Sequence, residues 1–231
     1  MISLIPIAGL GEISPGDDLG QLLAEAVLAN GLVWEEDDIL VVTHKVVSKA
    51  EGRLEFVPDD AAYRKVVESE AAAILRRRGD LVIAVTHHGF ICANAGVDRS
   101  NVEGGRAVLL PADPDSSAHR LRNRLGHLAG ARPAVIITDT FGRAWRRGLV
   151  DVAIGVAGMA AVHDLRGETD SHGRVLEVTE IATADEIAAA AELVMGKNGG
   201  VPAVIVRGFR YPRGEGSVGD LLRPDQEDLF R

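Results

Sequence analysis

The segment Ala134-Val135-Ile136-Ile137-Thr138-Asp139-Thr140-Phe141-Gly142-Arg143-Ala144-Trp145-Arg146-Arg147 constrains the fold more than any other stretch of the chain. Its opening, Ala134 to Thr138, is a continuous apolar run, the pattern of a strand buried on both faces. Such a strand needs covering layers on each side, so it belongs in the centre of a domain. A carboxylate and a hydroxyl, Asp139 and Thr140, stand at its exit, and Arg143, Arg146 and Arg147 follow. A strand end holds a carboxylate rigidly, which suits a divalent cation. Guanidinium groups bind phosphate oxygens in planar, bidentate fashion. The combination points to metal-assisted chemistry on a phosphorylated substrate. The plainer reading, in which Asp139 caps a turn and the arginines form a solvated face, is equally open on this segment alone.

With 231 residues the chain is long enough for one large domain with a sizeable core, or two small ones. Hydrophobic residues at 46% and charged residues at 26% are those of an ordinary globular protein, with no apolar run long enough to span a bilayer. The start, Met1 to Leu10, lacks the basic head and small-residue cleavage site of a signal peptide. A single cysteine, Cys92, forms no internal disulfide and suits a reducing compartment, so a cytoplasmic location is expected. The net charge of −9 argues against a nucleic-acid surface, so any anionic ligand must be met by local cations. Arg76 to Arg78 and Arg120 to Arg124 sit in helical patterns. Lys45, Lys49 and Arg53, together with Arg143 to Arg147, lie beside strand ends and are the better anion candidates.

Periodicity predicts strands at Leu4–Ile7, Ile39–Thr43, Leu81–Thr86, Phe90–Ala93, Ala107–Leu110, Ala134–Thr138, Val175–Ile181 and Ala203–Val206. Helices are expected after Asp17 and Asp18, at His44–Ala50, from Asp59 to Arg78, from Asp113 to Leu128, and from Ala184 to Met195. Asp151 to Val162 reads as an apolar, glycine-punctuated stretch of no clear class, and the tail from Tyr211 as marginally ordered. Strands and helices mix without strict alternation. The expected class is therefore α+β, with mixed sheets and packed helices, in one domain over residues 1–231, a division into two subdomains being the alternative.

No Gly-x4-Gly-Lys-Ser/Thr phosphate loop is present. Gly214-x-Gly216-x-x-Gly219 matches a dinucleotide fingerprint only as a string, since too little chain follows to build a βαβ unit. A glycine-rich lid or tail fits better. Asp98, in the turn-rich run after Cys92, is a second candidate metal carboxylate, and Asn101 a polar contact; an ordinary Asx turn is the commoner meaning of such residues. Of the adjacent His87 and His88, at most one can reach a site from a strand. Cys92 reads as a buried small hydrophobe. Lys45 and Lys49 share a helical face, suited to phosphates or to solvent.

Seven short motifs occur in order. They are Gly16-Asp17-Asp18-Leu19, Ser48-Lys49-Ala50-Glu51-Gly52-Arg53, Asn94-Ala95-Gly96-Val97-Asp98-Arg99-Ser100-Asn101, Leu109-Leu110-Pro111, Thr138-Asp139-Thr140-Phe141-Gly142-Arg143, Ala184-Asp185-Glu186-Ile187-Ala188, and Pro202-Ala203-Val204-Ile205-Val206-Arg207-Gly208. This set closely resembles the coenzyme F420-0:L-glutamate ligases, or γ-glutamyl ligases, from about Leu4 to Ser217.

The resemblance implies a γ-glutamyl ligase fold, a homodimer without a P-loop or Rossmann unit. It also implies a GTP-dependent reaction with Mg or Mn, in which L-glutamate is joined to the phospholactyl carboxylate of the deazaflavin coenzyme F420-0 and further glutamates are added through γ-linkages. Matched position by position, Asp98 and Asp139 would bind one metal and Thr140 a second. Leu10, Gly11, Glu12 and Ile13 would line the guanine nucleotide site. His44, Lys45, Lys49, Asn101 and the turn Met195-Gly196-Lys197-Asn198-Gly199-Gly200-Val201 would also contact the nucleotide. Lys197 stands where archaeal relatives carry an acidic metal ligand, in a turn one residue shorter, so a second ion would rest mainly on Thr140 and the nucleotide. The C-terminal nitroreductase-like domain of many actinobacterial versions is not expected here. Two alternatives stay open: another metal-dependent phosphotransferase or amide ligase, and a nucleotide-binding regulatory subunit without turnover.

Overall fold

The computed structural model describes residues 1–100, 104–197 and 199–229. The fold is α+β, as the mixed pattern predicts. Its centre is a five-stranded sheet of β1 (Ser3–Ile7), β12 (Ala203–Arg207), β2 (Ile39–Thr43), β8 (Ala134–Arg143) and β9 (Arg146–Ala157), hydrogen-bonded in that order. Only β2 and β8 run parallel, in the register Ile39 to Ala134 through Thr43 to Thr138. Both are continuous apolar runs because both faces of the sheet are covered. On one face Leu40, Val42, Val135 and Ile137 pack against α1 (Leu19–Ala29) and α4 (Pro114–Ala129). On the other, Ile39, Val41 and Ile136 pack with Ala184, Ile187, Ala188 and Ala191 of α5 (Thr183–Met195).

The helix starts obey local chemistry. Asp18 caps α1 by accepting from Gln21 N at 3.1 Å, and Asp113 caps α4 from Ser116 N at 2.9 Å, with Pro114 in the first turn. At the start of α4, Gly155 of β9 lies so close that an added Cβ would stand 2.5 Å from the Pro114 carbonyl oxygen; only glycine lets the two backbones meet.

A smaller core lies under β4 (Ala71–Arg78), β5 (Leu81–Thr86) and β6 (Ile91–Ala93), which form an antiparallel sheet. Val67 of α3 (Asp60–Glu70), Val82, Ala84, Ala95, Val97 and Leu109 fill it. A two-stranded ladder joins β3 (Leu54–Phe56) to β7 (Arg106–Val108), shorter at its C-terminal end than the predicted Ala107–Leu110.

Several expectations are corrected. The helix expected from Asp59 to Arg78 stops at Glu70; Ala71 to Arg78 is a strand folded back on β5. Ala, Leu and Arg favour helix, but the hairpin partner offers a full ladder of hydrogen bonds, and tertiary pairing overrides propensity. Arg76 to Arg78 are accordingly on a strand. Ala134–Thr138 extends to Arg143 and turns into β9, so Asp151 to Ala157 is strand, not irregular chain. Ile154, Val156 and Met159 are wholly buried within the chain. Of Val175–Ile181 only Glu180–Ile181 is strand; it pairs with His163–Asp164, giving β11 and β10.

The tail is also pinned rather than loose. Ser217 Oγ donates to Asp115 Oδ2 at 2.7 Å, and Val218 is buried. Gly216 lies against the backbone of Met159 and Ala161, where a Cβ would stand 2.5 and 2.6 Å from their atoms. Among the described residues no helix is long and apolar enough to cross a membrane.

Candidate functional site

The parallel register of β2 and β8 creates the site. Thr43 and Thr138 are neighbours at the two strand ends, so the next residues, His44 and Asp139, emerge side by side. In open α/β sheets ligands bind outside the carboxyl ends of parallel strands for the same reason. His44 opens α2 (His44–Ala50) and is wholly buried. Its Nε2 lies 3.3 Å from Asp139 Oδ1, too poorly aligned for a hydrogen bond, and that nitrogen has no hydrogen-bond partner. Asp139, with 16% of its side chain exposed, accepts from Thr140 N at 2.7 Å through Oδ1. No hydrogen bond to its Oδ2 is made among the described residues.

The lysines of α2 face outward from this pair. Lys45 Nζ binds Asp98 Oδ2 at 2.7 Å and Ser100 Oγ at 2.6 Å. Burial alone would raise the Asp98 carboxyl, but the bonds from Lys45 and from Ser100 outweigh it and hold it below its ordinary value. One turn on, the mostly buried Lys49 binds Glu12 Oε1 at 2.5 Å, which brings the loop Leu10–Ile13 to α2. Within that loop Ile13 is buried and Gly11 and Glu12 are exposed. Cys92 lies near Asp139: burial first, and then the Asp139 charge, push its thiol up to about 12, so it is inert as well as buried.

A second group lies on the α5 side of the same strand end. Alternation along β8 turns Thr138 and Thr140 away from His44. Both hydroxyls donate to Asp151 of β9, at 3.2 Å from Thr138 and 2.6 Å from Thr140. Lys197, just past α5, closes the group: its Nζ donates to Thr140 Oγ1 and to Asp151 Oδ1 at 3.0 Å, and lies 3.5 Å from Glu192 Oε1. Asp151 is buried, with every oxygen engaged. Sequence reasoning missed it, because it sits in the stretch that showed no clear pattern. Its signal was available: a lone carboxylate inside an apolar run needs partners.

Of the other predicted site residues, Met195 is buried as the last residue of α5, Gly196 breaks the helix at φ 59°, and Gly199, Gly200 and Val201 lead into β12. Asn101 and Asn198 lie outside the described residues. Neither adjacent histidine joins the site: His87 pairs with the Ser69 carbonyl, and His88 with the Pro111 carbonyl while stacking on Phe90. Arg143, Arg146 and Arg147 lie at the far end of the β8–β9 hairpin.

Among the described residues no three His, Cys, Asp or Glu side chains converge as a ready cation cage. The donors instead come singly. Asp139 fits a hard cation best, offering a largely shielded carboxylate with one oxygen open. Asp98 and Thr140 would have to release Lys45 and Lys197 to do the same.

Carboxylates, three lysines and a buried histidine gathered at these strand ends on an acidic protein are an arrangement suited to anionic, phosphate-bearing ligands. The sequence likenesses agree. The sequence model of the family described as F420-0:Gamma-glutamyl ligase matches residues 9–208. A protein from Methanothermobacter thermautotrophicus named coenzyme F420:L-glutamate ligase is 43% identical over 100% of this chain and 99% of its own length. Proteins of the same name from Archaeoglobus fulgidus and Methanopyrus kandleri are each 43% identical, over 100% and 95% of this chain and 96% and 94% of their own lengths. The chain belongs to the F420-0:γ-glutamyl ligase family.

Proposed function

We propose that the chain is a ligase that joins L-glutamate to coenzyme F420-0 through an amide bond, using GTP, and then adds further glutamates through γ-linkages. The full-length likeness to the archaeal ligases carries this reading. The geometry supplies suitable parts.

A carboxylate is a poor acylating agent. In the proposed route an acceptor carboxylate oxygen attacks the γ-phosphorus of GTP, the β–γ phosphoanhydride bond breaks, and GDP leaves. The glutamate amine then attacks the acyl carbon, loses a proton to solvent or phosphate, and expels phosphate. Both steps bring anions together, so the residues that matter are those that neutralise and orient them. Lys45 and Lys49 are placed to exchange Asp98 and Glu12 for nucleotide phosphates. The loop Leu10–Ile13 is joined to Lys49 through Glu12, and Lys197 lies on Thr140 and Asp151 at the same strand end. Arg143, Arg146 and Arg147 add positive charge along the hairpin. A Mg or Mn ion held by Asp139, with Asp98 as a second donor, would supply charge neutralisation at the phosphates. HPLC of the guanine nucleotides tests the route: sustained GDP release should require acceptor and L-glutamate together, and acceptor alone should give no more than about one GDP per enzyme. GDP release independent of both would instead favour a different phosphotransferase.

Lys197 takes the position of a cation within the Thr140–Asp151 group. Lys197→Ala is expected to lower kcat/KM for GTP by roughly 1–3 kcal/mol, the worth of a charge-assisted bond. Lys197→Glu should partly recover activity at high Mn. Unchanged GTP kinetics in the alanine variant would make it a solvated turn lysine only.

The reading includes a homodimer in the cytoplasm. Light scattering at micromolar concentration should give twice the chain mass; the mass of one chain would count against it.

A further inference from the structure

The tip of the β8–β9 hairpin gathers three arginines around an exposed tryptophan. Arg143 and Arg146 stand directly opposite each other in register, and Arg147 follows. Like charges directly opposite in a ladder repel. Among the described residues none of the three makes an ion pair, and Arg143 donates only to the Arg147 carbonyl, at 3.4 Å. Many other guanidinium groups are paired, as in Arg53–Glu70, Arg120–Glu51, Arg124–Asp18 and Arg207–Asp38. A chain of net charge −9 thus gathers three arginines without an ion pair, among the described residues, at one hairpin tip. Between them Trp145 is 79% exposed and held at φ 59°, in the left-handed region that bulky side chains avoid. An exposed indole flanked by guanidinium groups binds planar, anionic molecules by stacking and charge.

We propose that this tip is the acceptor subsite, a refinement that rests on the ligase reading. Trp145 stacks on the deazaflavin ring, Arg143 and Arg146 draw in the acceptor's negative charge, and the tail runs back along the hairpin so that its phosphate and carboxylate approach Asp139 at the base. The strand sets the scale: four residues separate Asp139 from Arg143, about 13 Å at ~3.3 Å per residue. An acceptor with its ring at one end and its reactive carboxylate at the other lies along such an arm. A guanine base would compete for the same stacking surface, but the loop Leu10–Ile13 is joined to α2 through Lys49 and Glu12 and not to the hairpin tip.

The chain has two tryptophans, so Trp34→Phe leaves Trp145 as the only one. That variant is titrated with the deazaflavin acceptor without GTP. Trp145 emission reports the tip, and anisotropy of the acceptor's own fluorescence reports binding independently, with the parent chain as control. Emission should fall over the concentration range in which anisotropy rises. In the parent background, Trp145→Ala and the pair Arg143→Gln with Arg146→Gln should each weaken acceptor binding at least tenfold with unchanged melting, and Trp145→Phe should restore most of it. Normal acceptor binding in the alanine and glutamine variants would overturn the proposal while leaving the ligase reading intact. So would quenching by GTP alone, or emission that follows protein concentration and ignores the acceptor, which would assign the tip to nucleotide or to a second copy. Absence of any acceptor binding by the parent chain would sink the ligase reading and the subsite together.

Discussion

Asp139→Asn is expected to reduce kcat by roughly 10²–10³-fold, the scale of losing one preorganised electrostatic group from an active site. Asparagine keeps the shape and can still accept from Thr140 N, so the fold should stand, with a stability change below about 1 kcal/mol. What is lost is the charge. Asp139 is the carboxylate beside buried His44, with one oxygen uncommitted among the described residues, and hard cations prefer charged oxygen to amide oxygen. The variant should therefore demand more Mg or Mn for its residual rate. Steady-state kinetics over a metal titration, with a melting curve as control, decide it. Near-normal turnover at limiting metal would return Asp139 to a turn-capping role.

The largest stability effect is expected at Asp38. It is almost fully buried and holds Arg207 through two hydrogen bonds, Nε to Oδ1 and Nη2 to Oδ2, both 2.8 Å. It also accepts from Glu35 N at 2.8 Å, and its carbonyl receives the Ala134 N–H at 3.1 Å. One residue thereby ties the start of β2 to β8 and β12. Asp38→Ala leaves a largely buried guanidinium without its partner, at a cost of about 3–5 kcal/mol. For a chain of this size that lowers the melting midpoint by on the order of 10 °C. The ion pair Arg207–Glu35 softens the loss only slightly, since Glu35 is exposed. Because this anchor sets the β2–β8 register, and the register sets His44 beside Asp139, activity should fall with stability and return on cooling. A midpoint within 2–3 °C of the parent, roughly 1 kcal/mol, would mean the network is replaced by water.

The central strands and their order of burial were legible in sequence because a doubly covered strand leaves a plain apolar run, as in Ala134–Thr138 and Ile39–Thr43. Asp139 was legible for the same reason: a charge at the end of such a run is conspicuous. His44 acquired its meaning only with the parallel register, which is a tertiary fact. The long hairpin was missed because its turn, Ala144-Trp145, has none of the Asn-Gly or Asp-Gly chemistry that signals one; a tryptophan takes the positive φ instead. Asp151 was lost with it, since its partners Thr138, Thr140 and Lys197 gather only once the hairpin and α5 are in place. The strand Ala71–Arg78 read as helix because its composition favours helix and its partner lies across a glycine turn at Gly79.

Mass spectrometry of the deazaflavin acceptor tests the central claim most directly. Coenzyme F420-0 incubated with the protein, GTP, Mg or Mn and L-glutamate should gain the mass of one glutamate residue, then of further residues with time, and gain nothing when GTP is left out. An acceptor of unchanged mass in the complete mixture, with GTP, metal and folded protein all present, would contradict the account.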